Sequence, residues 1–207
     1  MGQLSNTTGL LNSSKKEWNF KYFSERERKS LLNQDLNINN YIKKSLNSEH
    51  IIHSKIIIIR HKEYLSIFLN TNKEGKLAIE KNNLATKIKK SLEIYTNLKV
   101  ALNITESNRL DSTMVCQSIG QKILNRSSVT MAFNTVLNLL KKDNRVLGVR
   151  LQCSGRPGGQ DMSSTQWIKH GSIPLHSYNV SIDYANESIL TKYGLSGIKV
   201  WIRYSTK

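Results

Sequence analysis

This sequence of 207 residues has few cysteines and prolines and no long apolar run. Its two cysteines, Cys116 and Cys153, lie far apart in apolar segments and form no Cys-x-x-Cys spacing, so they indicate buried, reduced thiols rather than a metal site. A disulfide between them is an alternative that the pattern does not support. The longest aliphatic stretch, Ile56 to Ile59, is far shorter than the ~20 residues of a membrane helix and predicts a strand. We therefore predict no metal, no cofactor and no membrane association.

Acidic residues are also scarce, since 15 Asp and Glu stand against 31 Lys and Arg. The net charge is +16 and the pI is near 9.9. Residues 1–107 contain 18 basic and 10 acidic residues, and the remainder contains 13 and 5, so each part carries +8. A compact body of this charge repels itself unless a polyanion neutralises it, and nucleic acid is the usual partner. A solvated basic surface is the alternative, and the even spread of charge speaks against it.

The start of the sequence has no recognisable targeting signal. It lacks the apolar core of a signal peptide and the Arg-rich amphipathic character of a transit peptide. Asn6 stands where a myristoylation signal requires Ser or Thr. The excess of Ile, Asn, Lys and Ser is the bias that AT-rich genomes impose. Together these features lead us to expect a protein that is made inside the compartment where it works.

The amino-terminal part is predicted to begin with an extended arm, because residues 1 to about 20 are polar with little periodicity. We interpret the aromatic cluster that follows as pinning this arm to the domain, in preference to base stacking; it contains Trp18, Phe20, Tyr22 and Phe23. A helix is predicted to begin near Ser24, which can cap it, and apolar residues at helical spacing continue to Leu46. Asp35 or Asn37 is the place where this pattern is expected to be interrupted.

The rest of this part combines strands with one predicted helix. Residues 54–60 and 63–70 predict a hairpin, residues 82–95 a helix and residues 98–104 a strand. The resulting order is compatible with the type II KH fold, in which a Gly-x-x-Gly between two helices clamps a nucleotide strand. The candidate stretch here is Ile79 to Asn82, and we expect the side chains of Ile79 and Asn82 to obstruct the clamp. Lys81 and Lys87 are candidate RNA contacts near it.

The second part has two helical patterns, at 110–125 and 128–142, followed by four strand patterns at 146–152, 167–170, 180–184 and 197–204. Helices followed by a run of strands predict an α+β layer. We expect Trp167 and Trp201 to lie in the core. We expect Asp183 to form a buried hydrogen bond and His176 to be a structural hydrogen-bonding residue rather than a catalytic base.

One segment, residues 148–202, holds both prolines and seven of the eleven glycines. It includes the turn Ser154-Gly155-Arg156-Pro157-Gly158-Gly159, in which backbone N–H groups and a guanidinium can meet phosphate oxygens. No Gly-Lys-Ser/Thr follows, so the turn is not a Walker loop. Further along come Trp167, Pro174-Leu175-His176, Ile182-Asp183-Tyr184, Tyr193-Gly194 and the run from Gly197 to Ile202.

In these motifs, at this spacing and without gaps, the segment resembles the carboxy-terminal domain of the universal small-subunit ribosomal protein S-three family. A fainter resemblance reaches the amino terminus, and the family's Gly-x-x-Gly falls on Ile79 to Asn82. The resemblance implies an α+β chain in three parts: an arm (1–20), a type II KH-like domain (21–107), and a carboxy-terminal domain (108–207) with two helices and a mixed or antiparallel sheet.

The resemblance also implies a structural protein of the head of the small subunit that binds ribosomal RNA near the messenger RNA entrance channel. Messenger RNA is a further implied contact, and the implied neighbours are the small-subunit proteins S-ten and S-fourteen, with S-two and S-five in some members. Erosion of the family's basic positions, together with the AT-driven composition, indicates a mitochondrial version, with a plastid or reduced bacterial version as the alternative.

Several of the family's basic positions are lost in this sequence. A cluster on the second helix of the carboxy-terminal domain, which the family links to messenger unwinding, falls on Met131, Ala132 and Thr135. Arginines seen elsewhere in the family fall on Ser164, Ser172 and Asn179. We therefore expect fewer RNA contacts than in a bacterial relative.

We predict RNA-binding residues from charge, glycine backbone and the resemblance together. Arg156 is the first candidate; the others are Arg126, Arg150, Gly158, Gly159, Lys169, Lys199, Lys81 and Lys87. A free-standing KH-type regulator of single-stranded RNA is the alternative function, and it requires the missing Gly-x-x-Gly. An enzyme is not predicted, because no nucleophile, second carboxylate or metal set converges with Asp183.

Overall fold

The computed structural model describes residues 18–107, 110–177 and 180–205, which form two compact units separated near residue 109. Most of the predicted arm and Asn179 lie outside the described residues. The five described helices are α1 (Arg28–Ser48), α2 (Lys73–Lys81), α3 (Leu84–Thr96), α4 (Ser112–Leu124) and α5 (Val129–Lys141). The eight described strands are β1 (Phe20–Lys21), β2 (Ile57–Arg60), β3 (Tyr64–Thr71), β4 (Lys99–Glu106), β5 (Val146–Gly155), β6 (Ser164–Gly171), β7 (Ile182–Thr191) and β8 (Gly194–Tyr204). The predicted α+β class is confirmed.

The amino-terminal unit is a four-stranded sheet of order β1-β2-β3-β4 packed against helices. β2 and β3 pair antiparallel, as the hairpin pattern predicted, whereas β1 joins β2 and β4 joins β3 in parallel. Apolar residues that recur every three to four positions in α1 and α3 meet the alternating strand residues in one core. The core includes Ile38, Ile42, Leu46, Ile58, Leu65, Ile67, Ile88 and Leu92.

The first helix differs from the prediction at its start and in its middle. It begins at Arg28 rather than near Ser24, although the Ser24 hydroxyl accepts a cap-like hydrogen bond from the backbone N–H of Glu27 just before the helix. The helix also passes Asp35 and Asn37 without interruption. Asp35 lies fully buried there, since Arg60 on β2 supplies its partner at 2.7 Å.

The aromatic cluster before α1 does not act as a unit. Phe20 packs against the core of the amino-terminal unit, which agrees with a pinning role. Trp18 and Phe23, in contrast, are 66% and 88% exposed. The expectation that the whole cluster packs onto the domain was therefore wrong for these two residues.

A helix that the sequence analysis missed, α2, lies between β3 and α3. Gly75 lies in its first turn and lowers the helix propensity of the segment. A Cβ at Gly75 would lie 2.9 Å from Ile51 Cγ2, which is too close. Glycine therefore allows α2 to pack tightly against Ile51. With this helix, the order of elements after the short strand β1 is helix, strand, strand, helix, helix, strand.

The carboxy-terminal unit is an antiparallel sheet of order β6-β5-β8-β7 with α4 and α5 against one face. Residues at odd positions of β5, such as Val149 and Leu151, point to the helices. Even positions point away from them, since side chains alternate along a strand. Both cysteines are free and buried in this core, and burial raises the pKa of each thiol. The predicted buried thiols are confirmed.

Three apolar residues within the two helical patterns of this part are exposed in α4 and α5: Leu124, Met131 and Leu139. Each lies next to the true buried stripe, which contains Val115, Ile119, Phe133, Val136 and Leu140. Helix periodicity alone does not fix where a stripe ends.

Candidate nucleic-acid interface

Three turns meet at one end of the carboxy-terminal sheet and enclose an open groove of about 850 Å³. They are the α4–α5 turn, the turn from Ser154 to Gln160 after β5, and the β7–β8 turn around Tyr193. Arg126, Arg156 and Lys192 line the groove, one from each turn. No Asp or Glu is among the described residues that line it. The groove is therefore a concentrated positive surface.

The glycine-rich turn gains its shape from residues with positive φ. Pro157 is buried and begins a short 3₁₀ turn, and Gly158 and Gly159 have φ of 72° and 82°. A Cβ at Gly159 would lie 2.7 Å from Tyr193 Cζ, so this glycine lets two turns touch. Gly158 has open space around it and exposes its backbone to the groove. Its N–H and small size suit close approach of a phosphate.

Arg156 is exposed at the rim of this turn. Its Nε donates a 2.6 Å hydrogen bond to the backbone carbonyl of Gln160, which fixes the direction of the guanidinium. The two terminal nitrogens have no hydrogen-bond partner in the described part of the chain. They are available to donate to a phosphate as a fork.

Arg126 occupies the left-handed position that ends α4, with φ of 64°. Its backbone N–H bonds to the carbonyl of Ile123, and that of Ser127 bonds to the carbonyl of Lys122, which is the Schellman pattern. Glycine is usual at this position, because a Cβ costs about 1–2 kcal/mol there. A strained arginine whose side chain lines a positive groove points to a functional reason for its identity.

The positive end of α5 also lies at this groove. Ser128 caps the helix, and its hydroxyl accepts from the N–H of Met131 at 3.3 Å. The preceding backbone N–H groups of Val129 and Thr130 belong to residues that line the groove. The helix dipole adds positive potential to that of the arginines.

The structure brings together four of the nine predicted residues: Arg126, Arg156 and Gly158 line the groove, and Gly159 supports it through Tyr193. Lys81 and Lys87 are exposed in the amino-terminal unit, at the end of α2 and in α3. Arg150, Lys169 and Lys199 lie on the face of the carboxy-terminal sheet that points away from the helices. Lys192 was missed; its place in a hairpin turn beside Tyr193-Gly194 was the available signal.

We call this second face the open face: the even-numbered positions from Gly148 to Ser154 on β5 and from Ile182 to Ser188 on β7, with the odd-numbered positions from Thr165 to Gly171 on β6 and from Gly197 to Arg203 on β8. Here Cζ of Arg150 lies 5.3 Å from the centroid of the Trp167 ring and 5.4 Å from that of the Trp201 ring. Trp201 is buried, as predicted. Trp167 is 57% exposed, so its assignment to the core was wrong: it lies on the edge strand of the sheet.

The stretch from Ile79 to Asn82, where the sequence analysis considered a KH clamp, spans the end of α2 and the start of the turn to α3. Ile79 does not obstruct such a clamp, contrary to our expectation, because its side chain is 1% exposed and packs in the core. Asn82 is exposed and donates a 3.0 Å hydrogen bond to Glu49 Oε2. Asn83 adopts φ of 51° where the chain enters α3. A polar turn that is hydrogen-bonded to Glu49 therefore stands where the sequence analysis looked for the two glycines of a Gly-x-x-Gly.

Asp183 accepts hydrogen bonds from the backbone N–H and the hydroxyl of Ser112 at the start of α4, which confirms its structural role. His176 is exposed and bonds to no other described residue, and the structural role expected for it stays a prediction. Across the described ranges, no His, Cys, Asp and Glu side chains cluster in a way that could hold a metal ion. No described helix has the length and apolar character needed to cross a membrane.

Comparison with known proteins gives extensive matches. A family model of the carboxy-terminal domain of ribosomal protein S3 matches residues 119–202. Small ribosomal subunit protein uS3 of Pelobacter propionicus is 35% identical over 205 residues, which is 98% of this chain and 96% of the relative. The proteins of the same name from Anaplasma phagocytophilum and Staphylococcus epidermidis are each 31% identical, over 98% of this chain and 95% and 93% of their own lengths. The similarity thus includes both units.

Proposed function

Because the chain belongs to the family of small ribosomal subunit protein uS3, we propose that it is a structural constituent of the small subunit head that binds ribosomal RNA near the messenger RNA entrance channel. The observation that carries the RNA-binding part is the groove with one cation from each of three turns and no carboxylate in its described lining. Ribosomal phosphates are the partner that this surface fits. No catalytic role is proposed.

The groove binds a folded RNA backbone rather than a particular base sequence. Its donors are guanidinium groups, an ammonium group and backbone N–H groups, all of which recognise phosphate oxygens. Arg156 and Arg126 contact phosphates directly, and the exposed backbone at Gly158 approaches the same strand. Lys169 and Lys199 on the open face, with Arg150, extend the basic surface of this unit.

The amino-terminal unit is a type II KH-like domain that packs in the particle without a working single-strand clamp. The order of its elements, with a two-helix hairpin after two strands, supports this assignment. Lys81 and Lys87 on that hairpin contact RNA phosphates through charge alone. A regulatory KH protein would need a glycine pair where Ile79 and Asn82 stand, so that function is not favoured.

Messenger RNA passes close to α5, but this chain contributes little to its unwinding. Of the three positions of the lost basic cluster, Met131 and Thr135 are exposed and uncharged, and Ala132 is buried. The neighbouring proteins are those that the family resemblance implies: S-ten and S-fourteen, with S-two and S-five as further neighbours in some members. Compensation for the lost charges comes from such neighbours.

The ribosome in question is mitochondrial, with a plastid or a reduced bacterial ribosome as the alternative. The Ile-, Asn- and Lys-rich composition and the loss of basic residues support this proposal. The relatives named above are bacterial, as expected for any organellar ribosomal protein of bacterial descent. Fractionation of source cells tests the localisation, because the chain must follow the organelle and its ribosomes.

Sedimentation tests the central proposal. The chain should co-sediment with small subunits in a sucrose gradient and resist removal by moderate salt washes. Purified chain should bind a fragment of head-domain ribosomal RNA with an affinity that falls steeply with salt, by a log–log slope of about 0.7–0.9 per phosphate contact. Recovery of the chain only from the free soluble pool, or salt-independent RNA binding, would contradict it.

A further inference from the structure

The open face of the carboxy-terminal sheet has a strong charge bias that the groove does not explain. Four cations point to it: Arg150, Lys169, Lys199 and Arg203. The two carboxylates of β7 point the other way, since Asp183 and Glu187 both raise the pKa of the Cys116 thiol on α4. No carboxylate belongs to the open-face positions of these four strands, all of which are described.

Part of this face is already covered by the chain itself. Arg203 donates two hydrogen bonds to Ser172, through the backbone carbonyl and the hydroxyl. A Cβ at Gly148 would lie 2.5 Å from the backbone oxygen of Ser172, so the segment after β6 crosses that end of the sheet. The accessible part is the other end and the edge strand β6, where Thr165, Trp167 and Lys169 are exposed.

The Trp167 ring is held in place at this accessible edge. The guanidinium of Arg150 lies within cation–π distance of both Trp167 and the buried Trp201, which links the exposed ring to the core. One side of the Trp167 indole meets this guanidinium, and 57% of the residue remains exposed. An exposed, pre-positioned indole with one cation beneath it has a free π-face for a planar ligand.

We propose that Trp167 is a stacking platform for an unpaired nucleobase of RNA, with Lys169 contacting a phosphate of the same strand. Lys169 lies two residues further along β6 on the same face, which places its Cα atom about 6.6 Å from that of Trp167. Aromatic side chains within a basic surface are how proteins hold single-stranded nucleic acid without reading its sequence. The platform rests on the proposed RNA-binding function and adds to it a second, base-dependent site on the face of the sheet opposite to Cys153 and Gln166, which line the groove.

RNA is favoured over a protein partner because of charge complementarity. A peptide added to the edge of β6 would lie beside Lys169 and would need acidic side chains on this face, whereas any RNA strand supplies both phosphates and a stacking surface. The groove and the platform differ in what they recognise, since the groove contacts phosphates only. This difference allows the two sites to be tested separately.

The test uses the full chain and two short single-stranded RNA probes, one with normal bases and one with abasic positions at the same length. Trp167→Leu should weaken binding of the normal probe by about 5- to 150-fold, the range that the loss of one base–aromatic stack produces. It should leave binding of the abasic probe unchanged. Trp167→Phe should restore most of the affinity, because a ring of similar orientation remains.

Trp18→Leu is the matched control, because Trp18 is 66% exposed but belongs to the amino-terminal unit; it should leave both affinities as they are. Equal binding of the normal probe by the parent and Trp167→Leu would overturn the platform while leaving the groove and the ribosomal function intact. Reduced incorporation of Trp167→Leu into small subunits with unchanged RNA binding would show that Trp167 contacts a protein, which also overturns it. Failure of the parent chain to bind any RNA would instead contradict the proposed function itself.

Discussion

The Asp35 carboxylate in α1 accepts a 2.8 Å hydrogen bond from Nε of Arg60 on β2, and both side chains are almost completely removed from solvent. The Oδ2 atom of Asp35 has no hydrogen-bond partner in the described part of the protein. The pair joins the first helix to the sheet of the amino-terminal unit, and the other buried residues of α1, Ile38, Ile42 and Leu46, are all apolar. The contribution of this ion pair to the stability of the unit depends on both partners being present.

Removal of one partner should therefore be far more harmful than replacement of both. Asp35→Ala leaves the Arg60 guanidinium buried without a counter-charge, and we expect a loss of about 3–5 kcal/mol in the free energy of unfolding. The double change Asp35→Leu with Arg60→Met should recover most of that loss, because an apolar pair of similar volume needs no compensation. Urea unfolding of the three proteins measures both values; an equal loss in the single and double variants would contradict the explanation.

Acid should destabilise the amino-terminal unit through His53. Burial lowers the pKa of this imidazole below its ordinary 6.5, and the charge of Lys43 acts in the same direction, against a hydrogen bond to the backbone carbonyl of Ile51. Between these two pKa values the imidazole is protonated in the unfolded chain but not in the folded one. The free energy of unfolding therefore decreases as the pH falls through 6.5 towards the lowered pKa of the folded state. Denaturant unfolding between pH 7.5 and pH 5 should show this decrease.

His61 is the control for this effect, because it belongs to the same unit and is exposed. His61→Gln should keep the pH dependence of the parent protein. His53→Gln should flatten the curve between pH 7 and pH 5, even if it lowers stability at every pH. A parent protein whose stability did not change over this range would show that His53 is as easily protonated in the fold as in water.

The contact between Gly159 and Tyr193 predicts a difference between two adjacent glycines. Both have positive φ, so a side chain at either position costs about 1–2 kcal/mol of backbone strain. A Cβ at Gly159 additionally collides with the Tyr193 ring, whereas one at Gly158 meets nothing within 4 Å. Gly159→Ala should therefore be the more destabilising of the two by about 1–3 kcal/mol.

Thermal or urea unfolding gives the stabilities, and binding to a head-domain ribosomal RNA fragment gives the effect on the groove. Gly159→Ala should also weaken RNA binding, because it separates the turns that carry Arg156 and Lys192. If Gly159→Ala and Gly158→Ala were equally stable, the ring contact would not be what requires glycine.

The sequence predicted most elements of this fold, and its errors have physical causes. The strands of the carboxy-terminal unit were predictable because one face is apolar and alternates with the other. The helix α2 was missed because Gly75, which packing against Ile51 requires, weakens the local pattern. The groove was predictable in part, since Arg156 and its glycines are neighbours in sequence, but Lys192 joins them only through the β7–β8 turn. Exposure of Trp167 could not be predicted, because edge and central strands have the same periodicity.

The left-handed conformation of Arg126 predicts that its replacement by glycine has opposite effects on stability and on RNA affinity. Arg126→Gly removes the Cβ from a position with φ of 64° and should raise the free energy of unfolding by about 1 kcal/mol. The same change removes a cation from the groove, so the affinity for ribosomal RNA should fall and its log–log salt slope should decrease by about 0.7–0.9. Stability rises and function falls because a residue with the wrong backbone preference is kept for its side chain.

Asn97→Gly is the matched control. Asn97 ends α3 with φ of 55°; it belongs to the other unit and is not among the residues that line the groove. Its replacement should also be stabilising, by less than for Arg126, because asparagine tolerates the left-handed region better than most residues. It should leave RNA affinity and salt slope unchanged. If Arg126→Gly also left both unchanged, Arg126 would not contact phosphate, and the strain at the end of α4 would need another cause.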